Sequence, residues 1–363
     1  MPRLCFTYPW ATFGGVERVM LDRIGVLAGL YPGLSFDLVF SHDSGGALAL
    51  EQAIDRERLP ARVVIDPRLA LDEGYELVHC IDHPDALKRC SESGIAHVAE
   101  CHTAYRENRS YLRALPESTK AILVPSQLFL RELQSELEPG ERDKLALLRN
   151  FVRRRAVPPL RLPAWTGRPV LFFGRMDEHK NPAEFLSAMG LLARRAPGDF
   201  LAVLCGPVPS GCDLAAAIRR EGLEGSSVVL PPVPFHATGR LLKAMSEAGA
   251  LLVACSRGES FGLGVAEGLI EGMPVVLSDI AAHRHLVDGS EAWLYPPGEP
   301  SALAERIEAA HRDHAVRSGQ ARALAKRFTE SAFVSDWQHF AGRFLPRLAA
   351  LAQGTSPETG RSG

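Results

Sequence analysis

The chain has 363 residues, 46% of them hydrophobic and 23% charged, and its formal net charge is −2. This length suits two domains, and the composition is that of an ordinary globular protein. The nearly balanced charge excludes a global attraction to nucleic acid or anionic lipid, so we expect no nucleic-acid partner.

The cysteines and the hydropathy predict a cytoplasmic protein. Seven cysteines are scattered without a C-x-x-C pair, which indicates reduced, buried thiols rather than a disulfide framework or a zinc site. The start, MPRLCFTYPWATFGG, lacks a signal-peptide pattern, and no apolar run approaches the ~20 residues that cross a bilayer. We expect membrane contact, if it occurs, to be peripheral and at the inner face.

Apolar runs alternate with amphipathic stretches through the first half of the chain. They predict strands near 3–8, 35–40, 62–65, 76–80, 95–99 and 121–124, and helices near 16–30, 84–92, 106–115 and 126–137. Strands that are apolar throughout and are followed by helices are typical of parallel sheets covered on both faces. Residues 1–155 are therefore predicted to form one doubly wound α/β domain.

The second half repeats this alternation. Strands are predicted near 169–173, 200–205, 227–230, 250–254 and 274–277, and helices near 181–195, 213–222, 236–247, 263–271 and 300–313. The break at 151–168 is rich in Pro and Arg, so residues 166–330 are predicted to form a second doubly wound domain. A final helical segment, 331–350, carries an aromatic stripe that must pack on something, and we expect the polar tail, 353–363, to be disordered.

The most informative segment is SRGESFGLGVAEGLIEGMPVV at 256–276. It places Glu259 in a loop after a strand, Gly262 and Gly264 at a helix start, and Glu267 one turn into that helix. Ligands of open α/β sheets bind beyond the carboxyl ends of strands, glycines allow close backbone approach, and helix N-termini favour anions. The carboxylates can accept hydrogen bonds from the hydroxyls of a ribose and of a hexose.

A second segment, GRMDEHKN at 174–181, also follows a predicted strand. Arg175 and Lys180 precede a helix that begins at Asn181-Pro182. The departure of a nucleoside diphosphate builds negative charge on its β-phosphate, and a guanidinium and an ammonium group stabilise that charge.

Together with DGSEAWLYPPGEPSALAERI at 288–307, these segments resemble, in order, three motifs of glycosyltransferase family 4. The resemblance extends over nearly the whole chain. It implies the GT-B fold, in which two Rossmann-like domains face a cleft and a C-terminal helix crosses back to the first domain. The first domain would then lie on the acceptor side, and the second would bind a nucleotide sugar.

The resemblance also implies roles for individual residues. Glu267 would hold the ribose, Glu259 would contact hydroxyls of the donor sugar, and Arg175 and Lys180 would bind the diphosphate. The start of the following helix would contact the donor through backbone N–H groups, in a donor-binding segment made of Phe261, Gly262, Leu263 and Gly264.

In the first domain, FGGVERV at 13–19 resembles the family's glycine-rich segment. Gly14 and Gly15 would approach the donor phosphates and the acceptor, and His102, just beyond a strand, would lie near the transferred sugar. One stretch departs from the pattern: Ala281-Ala282 and His285 stand where the family often has two glycines and an acid. Donor contacts made at that stretch are expected to differ.

The resemblance implies a retaining glycosyltransferase that moves a sugar from a nucleotide-diphosphate sugar to a hydroxyl. The acceptor would be a glycan, a lipid-linked saccharide or a small molecule, in cell-surface polysaccharide or glycoconjugate synthesis. No Asp-x-Asp occurs, so we expect no metal and no cofactor besides the donor. Two alternatives keep the fold: a nucleotide-sugar epimerase or phosphorylase, and a non-catalytic nucleotide-sugar-binding protein.

Two other clusters have alternative interpretations. His79, Cys80, Asp82 and His83 are a possible metal site, although a strand end does not bring the two histidines onto one face. The basic residues that follow His102, Arg106, Arg109 and Arg113, either steer a phosphorylated acceptor or form a solvated helix face.

Overall fold

The computed structural model describes residues 2–12, 14–71, 74–154 and 157–352. The chain divides into two compact units: unit 1 contains the residues up to Phe151 and those from Glu330 onward, and unit 2 contains Val152–Thr329. The tail that we predicted to be disordered, 353–363, lies outside the described residues.

Unit 1 contains a sheet of seven parallel strands. They are β1 (Arg3–Ala11), β2 (Ser35–Asp43), β3 (Ala61–Ile65), β4 (Leu77–Ile81), β5 (His97–Glu100), β6 (Ile122–Val124) and β7 (Leu145–Leu147). The spatial order is β3-β2-β1-β4-β5-β6-β7. The helices between them are α1 (Gly15–Leu30), α2 (Ala47–Glu57), α3 (Pro84–Glu92), a 3₁₀ helix (Arg106–Arg113), α4 (Gln127–Glu136) and α5 (Pro139–Arg142).

Unit 2 contains six parallel strands in the order β10-β9-β8-β11-β12-β13. They are β8 (Arg168–Phe173), β9 (Phe200–Cys205), β10 (Ser227–Leu230), β11 (Leu251–Ala254), β12 (Val275–Ser278) and β13 (Leu294–Tyr295). The helices are α6 (Pro182–Arg195), α7 (Leu214–Arg220), α8 (Thr238–Glu247), α9 (Leu263–Ile270), α10 (Ala281–Leu286), α11 (Pro300–Arg312) and α12 (His314–Ala325), with 3₁₀ turns at Phe235–Ala237 and Glu291–Trp293. The predicted architecture of two Rossmann-like domains is confirmed.

Strand order locates the ligand-binding edge of each sheet. In unit 2 the order reverses between β8 and β11, which pair in parallel with Phe172 opposite Val253. Ligands of doubly wound sheets bind outside the carboxyl ends of the strands at this switch point. The loops after β8 and β11 lie at this switch point of unit 2. They contain the two motifs that were identified in the sequence.

The segment 106–115 differs from its prediction as a helix. It forms the 3₁₀ helix Arg106–Arg113, because its polar sequence offers no continuous apolar stripe to support an α-helix. Arg109 turns inward, with 4% of its side chain exposed, and its Nη1 lies 2.9 Å from Glu132 Oε1. Arg106 Nε lies 3.1 Å from Glu136. Arg109 is therefore buried and paired, whereas Arg106 is paired but keeps 74% of its side chain exposed.

The C-terminal helix α13 (Glu330–Phe344), which is followed by α14 (Pro346–Ala352), packs on unit 1 as expected. Trp337 is buried, and its Nε1 donates to the hydroxyl of Tyr31 over 3.1 Å. The rings of Trp337 and Phe340 each lie 6.0 Å from the ring of His79 on β4. The aromatic stripe read from the sequence therefore covers the sheet of unit 1.

We expect the substitution Trp337→Ala to destabilise unit 1 by about 3–5 kcal/mol, because it leaves a cavity under α13 and removes the bond to Tyr31. Urea unfolding of the full chain, followed by circular dichroism, measures this. His339→Ala, on the exposed side of the same helix, is the matched control and should change the unfolding free energy by less than about 0.5 kcal/mol. Equal effects of the two substitutions would contradict the packing.

No helix among the described residues is long and apolar enough to cross a membrane.

Candidate functional site

In the loop after β8, one carboxylate accepts hydrogen bonds from two cationic residues. Asp177 accepts a hydrogen bond from Arg175 Nε over 2.7 Å and another from the backbone N–H of Lys180 over 2.9 Å. Burial raises the pKa of Asp177, but the Lys180 N–H and the Arg175 guanidinium outweigh that effect and lower it overall. Asp177 is therefore a stable carboxylate that orients Arg175 and shapes the turn leading to Lys180.

The loop after β11 brings Glu259 to Lys180. Lys180 Nζ forms an ion pair with Glu259 Oε1, and Ser256 Oγ donates to the same oxygen over 2.7 Å. The side chains of Lys180 and Glu259 are 27% and 15% exposed. Burial raises the pKa of Glu259, but the charge of Lys180 and the neighbouring His283, with the hydrogen bonds from Lys180 and Ser256, lower it to about 2.

Behind this ion pair lies a second set of hydrogen bonds, which the sequence did not single out. Ser278 Oγ at the end of β12 donates to the carbonyl of Ser256 over 2.7 Å. His283 Nδ1 lies 2.8 Å from the carbonyl of Ser278, and a carbonyl can only accept, so Nδ1 carries the proton. The loop after β11, and with it Glu259, is thereby attached to β12 and α10.

The start of α9 provides backbone N–H groups next to these loops. Gly262 has φ +89°, and a Cβ there would lie 2.8 Å from Leu286 Cδ1. A Cβ on Gly264 would lie 3.6 Å from the ring of Phe173, the last residue of β8. Gly262 thus meets a conformational and a steric requirement that only glycine satisfies. The free N–H groups after it favour an anion.

The remaining residues of the predicted donor-binding segment have different positions. Leu263 is the first residue of α9. Phe261 is buried, with its ring edge-on to Phe328 at 5.6 Å, so its side chain belongs to the core. Glu267 lies one turn into α9 and is half-buried.

In unit 1, Gly14 is the N-cap of α1 and Gly15 its first residue. Glu17, wholly buried, accepts hydrogen bonds from the backbone N–H of Thr12 over 2.6 Å and from its hydroxyl over 2.5 Å. A Cβ on Gly14 would lie 2.8 Å from Glu17 Oε2. Gly14 therefore lets the chain pass close to the carboxylate that accepts hydrogen bonds from Thr12.

His102 follows β5 and is anchored at two points. Its backbone N–H donates to Asp82 Oδ1 over 3.1 Å, and its Nε2 lies 2.7 Å from Glu100 Oε1. Glu100 is itself buried and paired with Arg23. Of the other two histidines of this region, His79 shares Glu100, with its Nδ1 3.2 Å from Glu100 Oε2, whereas His83 Nε2 lies 2.9 Å from Ser41 Oγ.

The stretch that departs from the family pattern forms α10. It contains Ala281, Ala282 and His285, and Arg284 in the same helix pairs with Asp279. The carbonyl of His285 accepts from Arg327 Nη1 over 3.1 Å. A neutral or cationic side chain thus stands on α10 where the family often has an acid.

The structure brings Arg175, Lys180 and Glu259 together at one edge of the unit 2 sheet, beside the start of α9. It places Gly14, Gly15 and His102 at the corresponding edge of unit 1. Sequence reasoning missed the supporting groups: Asp177, Ser256, Ser278, His283, Arg23 and Glu100. Asp177 and Ser256 had a usable signal, because they lie inside the segments 174–181 and 256–276 that the sequence had already singled out.

The pKa of Glu259 predicts an acid-dependent stability. In the folded chain it is about 2, against an ordinary value of 4.5, so the ion pair with Lys180 stabilises unit 2 above pH 4.5. That contribution should be lost as the pH falls from about 4.5 to about 2. We expect Glu259→Gln to lie below the wild type in unfolding free energy at neutral pH and to converge with it in acid. A gap that stays constant over this range would refute the ion pair.

Part of the chain matches a known protein family. Residues 167–313 match the family of glycosyl transferases group 1, which confirms the resemblance for the part of the chain that holds the Lys180–Glu259 pair. The chain is 27% identical over 186 residues to GDP-mannose:cellobiosyl-diphosphopolyprenol alpha-mannosyltransferase of Xanthomonas oryzae pv. oryzae, which covers 49% of this chain and 46% of that protein. It is 33% identical over 185 residues to phosphatidyl-myo-inositol mannosyltransferase of Mycobacterium leprae, with 49% and 46% covered. The chain thus spans about half the length of the curated relatives it matches.

Solved structures share the fold over more of the chain. HepE of Anabaena, crystallised with UDP and glucose, superposes with a TM-score of 0.71 at 18% identity, covering 94% of this chain and 99% of that one. TarM of S. aureus superposes with a TM-score of 0.75 at 11% identity, covering 93% and 99%. At such identities the likeness shows the fold alone.

Proposed function

We propose, on the premise that residues 167–313 are a glycosyl transferases group 1 domain, that this chain is a retaining, metal-independent glycosyltransferase. It would move a sugar from a nucleotide-diphosphate sugar to a hydroxyl of a glycan, a lipid-linked saccharide or a small molecule. The observation that carries the proposal is the Lys180–Glu259 ion pair beside Arg175 and the start of α9.

These groups suit a departing nucleoside diphosphate. Asp177 keeps Arg175 oriented, and Lys180 supplies an ammonium group only partly exposed to water, where its charge is screened less than in bulk solvent. The N–H groups at the start of α9 add partial positive charge. Cations and N–H groups together stabilise the charge that develops on the β-phosphate as the anomeric bond opens.

The reaction then needs few other groups. The bond between the anomeric carbon and the phosphate oxygen breaks, and the acceptor oxygen forms its bond to that carbon on the same face. The proton of the acceptor hydroxyl passes to the departing phosphate, so charge and atoms balance without a metal. Glu259 would hold hydroxyls of the transferred sugar, and releasing Lys180 from Glu259 would leave the ammonium group free to bind phosphate.

The remaining assignments follow the resemblance. We assign Glu267 to the ribose, Gly14 and Gly15 to the donor phosphates and acceptor, and His102 to the transferred sugar. The relatives' names mention a diphosphopolyprenol-linked saccharide and a phosphatidylinositol, which supports a lipid-linked acceptor. We propose that the chain reaches this acceptor by peripheral contact with the inner membrane face. Such an acceptor would place the enzyme in cell-surface polysaccharide or glycoconjugate synthesis in the cytoplasm.

A two-stage experiment tests the proposal. Thermal shifts with UDP-, GDP-, ADP- and dTDP-sugars identify the donor, since a ligand that binds only the folded chain at 100 times its Kd stabilises it by about 2.7 kcal/mol. The anomeric configuration of the product, measured by NMR with and without EDTA, then tests retention and metal independence. A new nucleotide sugar formed from the donor alone would indicate an epimerase, and binding without turnover would indicate a non-catalytic protein. Either outcome would contradict the proposal.

A further inference from the structure

A buried charge network lies beneath the carboxyl edge of the unit 1 sheet. Glu100, the last residue of β5, is 1% exposed and forms an ion pair with Arg23, which is also 1% exposed. The same carboxylate contacts a histidine with each oxygen: Oε2 lies 3.2 Å from His79 Nδ1, and Oε1 lies 2.7 Å from His102 Nε2.

The protonation state of Glu100 decides which nitrogens of the two histidines carry hydrogen. Burial raises the pKa of Glu100, but Arg23 and the hydrogen bonds from His102 and His79 outweigh that effect and hold it well below its ordinary range. An ionised carboxylate only accepts hydrogen bonds. Both contacting ring nitrogens must therefore be donors, so a neutral His102 carries its proton on Nε2, and its Nδ1 is left as an acceptor.

The two histidines differ in what they can do with the second nitrogen. His79 is wholly buried beneath Trp337 and Phe340 of α13, its Nε2 has no hydrogen-bond partner among the described residues, and burial lowers its pKa. It acts as a neutral support. His102 follows the strand end, is 8% exposed, and has its backbone held by Asp82. Of these two histidines, only His102 has side-chain surface exposed to solvent, 5% against 0% for His79.

Arg23 keeps Glu100 in place from the opposite side. Its Nη2 lies 3.2 Å from the carbonyl of Leu148 and 3.2 Å from Asn150 Oδ1. Its guanidinium lies 5.6 Å from the ring centre of Phe333, on α13. The carboxylate is therefore held between α1, the segment that follows β7 and the C-terminal helix, and it has little freedom to turn away from His102.

We propose that Glu100 is a positioning residue that holds His102 in the Nε2–H form, so that Nδ1 accepts a hydrogen bond from a hydroxyl of the sugar substrate. Glu100 touches no substrate itself. The inference rests on the proposed function for the identity of the hydroxyl, but the protonation pattern of His102 follows from unit 1 alone. It adds a requirement: the substrate group facing His102 must be a donor, as a sugar hydroxyl is and a phosphate oxygen is not.

The test combines NMR with kinetics on the full chain. Labelling with ¹⁵N-histidine, with His102 assigned by its loss in His102→Gln, reports the protonated nitrogen directly. We expect a single Nε2–H form of His102 in the wild type. A wild type with the proton on Nδ1 would overturn the inference, whatever the variants do.

The variant must not leave a buried charge unpaired, because removing one partner of a buried ion pair is strongly destabilising. We therefore replace both partners, in Arg23→Met with Glu100→Gln, and require an unchanged circular dichroism spectrum. His102 should then populate two neutral forms, one with the proton on Nε2 and one with it on Nδ1. We expect kcat to fall roughly tenfold or more. Affinity for the nucleoside diphosphate should stay within about twofold, because neither Arg23 nor Glu100 is among the groups assigned to it.

Thr119→Val is the matched control, because it removes the 3.1 Å contact to another buried histidine of unit 1, His97. It should leave His102 and kcat unchanged. A folded double variant that keeps a single His102 form, or transfers at the wild-type rate, would refute the inference. A wild type that shows the Nε2–H form but transfers no sugar would instead refute the proposed function.

Discussion

Replacing Lys180 by alanine is expected to lower turnover about 100-fold or more while the chain stays folded. The ammonium group has a fixed partner in Glu259 and lies beside Arg175 and the start of α9, where a departing diphosphate would gather charge. Removing one well-placed stabilising group of this kind costs ~2.7–4 kcal/mol of barrier. Release of nucleoside diphosphate at saturating donor measures the effect, and Arg175→Ala should act in the same direction.

Lys88→Ala is the matched control, since Lys88 is 77% exposed and pairs only loosely with Glu92 at 3.9 Å. It should leave turnover within about twofold. Near-normal turnover in both Lys180→Ala and Arg175→Ala would contradict the assignment.

A second comparison separates two explanations of a slow Lys180→Ala variant. Removing Lys180 also leaves the carboxylate of Glu259 without its cation, and that alone could repel a donor. Adding Glu259→Gln removes the repulsion. If Lys180 acts on the phosphate, the double variant remains as slow as Lys180→Ala or slower. Recovery of turnover in the double variant would show that Lys180 serves only to neutralise Glu259.

Glu267→Ala is expected to weaken binding of the nucleoside diphosphate by roughly 10- to 150-fold, because a hydrogen bond to a charged group contributes about 1.5–3 kcal/mol. Glu267 lies one turn into α9, on the helix whose start we assign to the phosphates. Isothermal titration with the nucleotide of the preferred donor measures the loss. Glu271→Ala, just past the end of the same helix, is the matched control and should leave the affinity unchanged.

The ribose assignment can be tested apart from any general damage to α9. Deoxynucleotides lack one hydroxyl that Glu267 would accept from, so they should bind the wild type more weakly than ribonucleotides do. Glu267→Ala should bind both equally, because the acceptor is gone. A variant that still distinguishes them to the wild-type extent would show that another residue contacts the ribose.

The two units support their edges by different means. In unit 2, Asp177 and Ser256 hold the charges of Arg175 and Glu259, which are in contact with water to different extents, and this suits side chains that must exchange one partner for another. In unit 1, Glu100 and Arg23 form an ion pair that is almost wholly buried. Breaking such a pair is costly, so it provides a fixed support rather than a movable one.

The sequence by itself determined the α/β architecture, the positions of most strands along the chain and the segments that carry the candidate site. It could do so because buried parallel strands are short, continuous apolar runs. Glycine, Arg, Lys and Glu that occur together after such runs are typical of a ligand-binding site. The strand β7 and the helix α2 escaped it, since three apolar residues or a weak amphipathic stripe do not stand out from a loop.

Only the tertiary structure decided which side chains meet. Lys180 and Glu259 are 79 residues apart, and Arg23 and Glu100 are 77 apart, so their pairing depends on strand order and loop conformation. It likewise decided that Arg109 is buried against Glu132 instead of facing an acceptor, and that the ring of Phe261 belongs to the core. Local sequence sets which residues can ionise or turn, whereas burial and neighbours distant in the chain set their charge, orientation and partners.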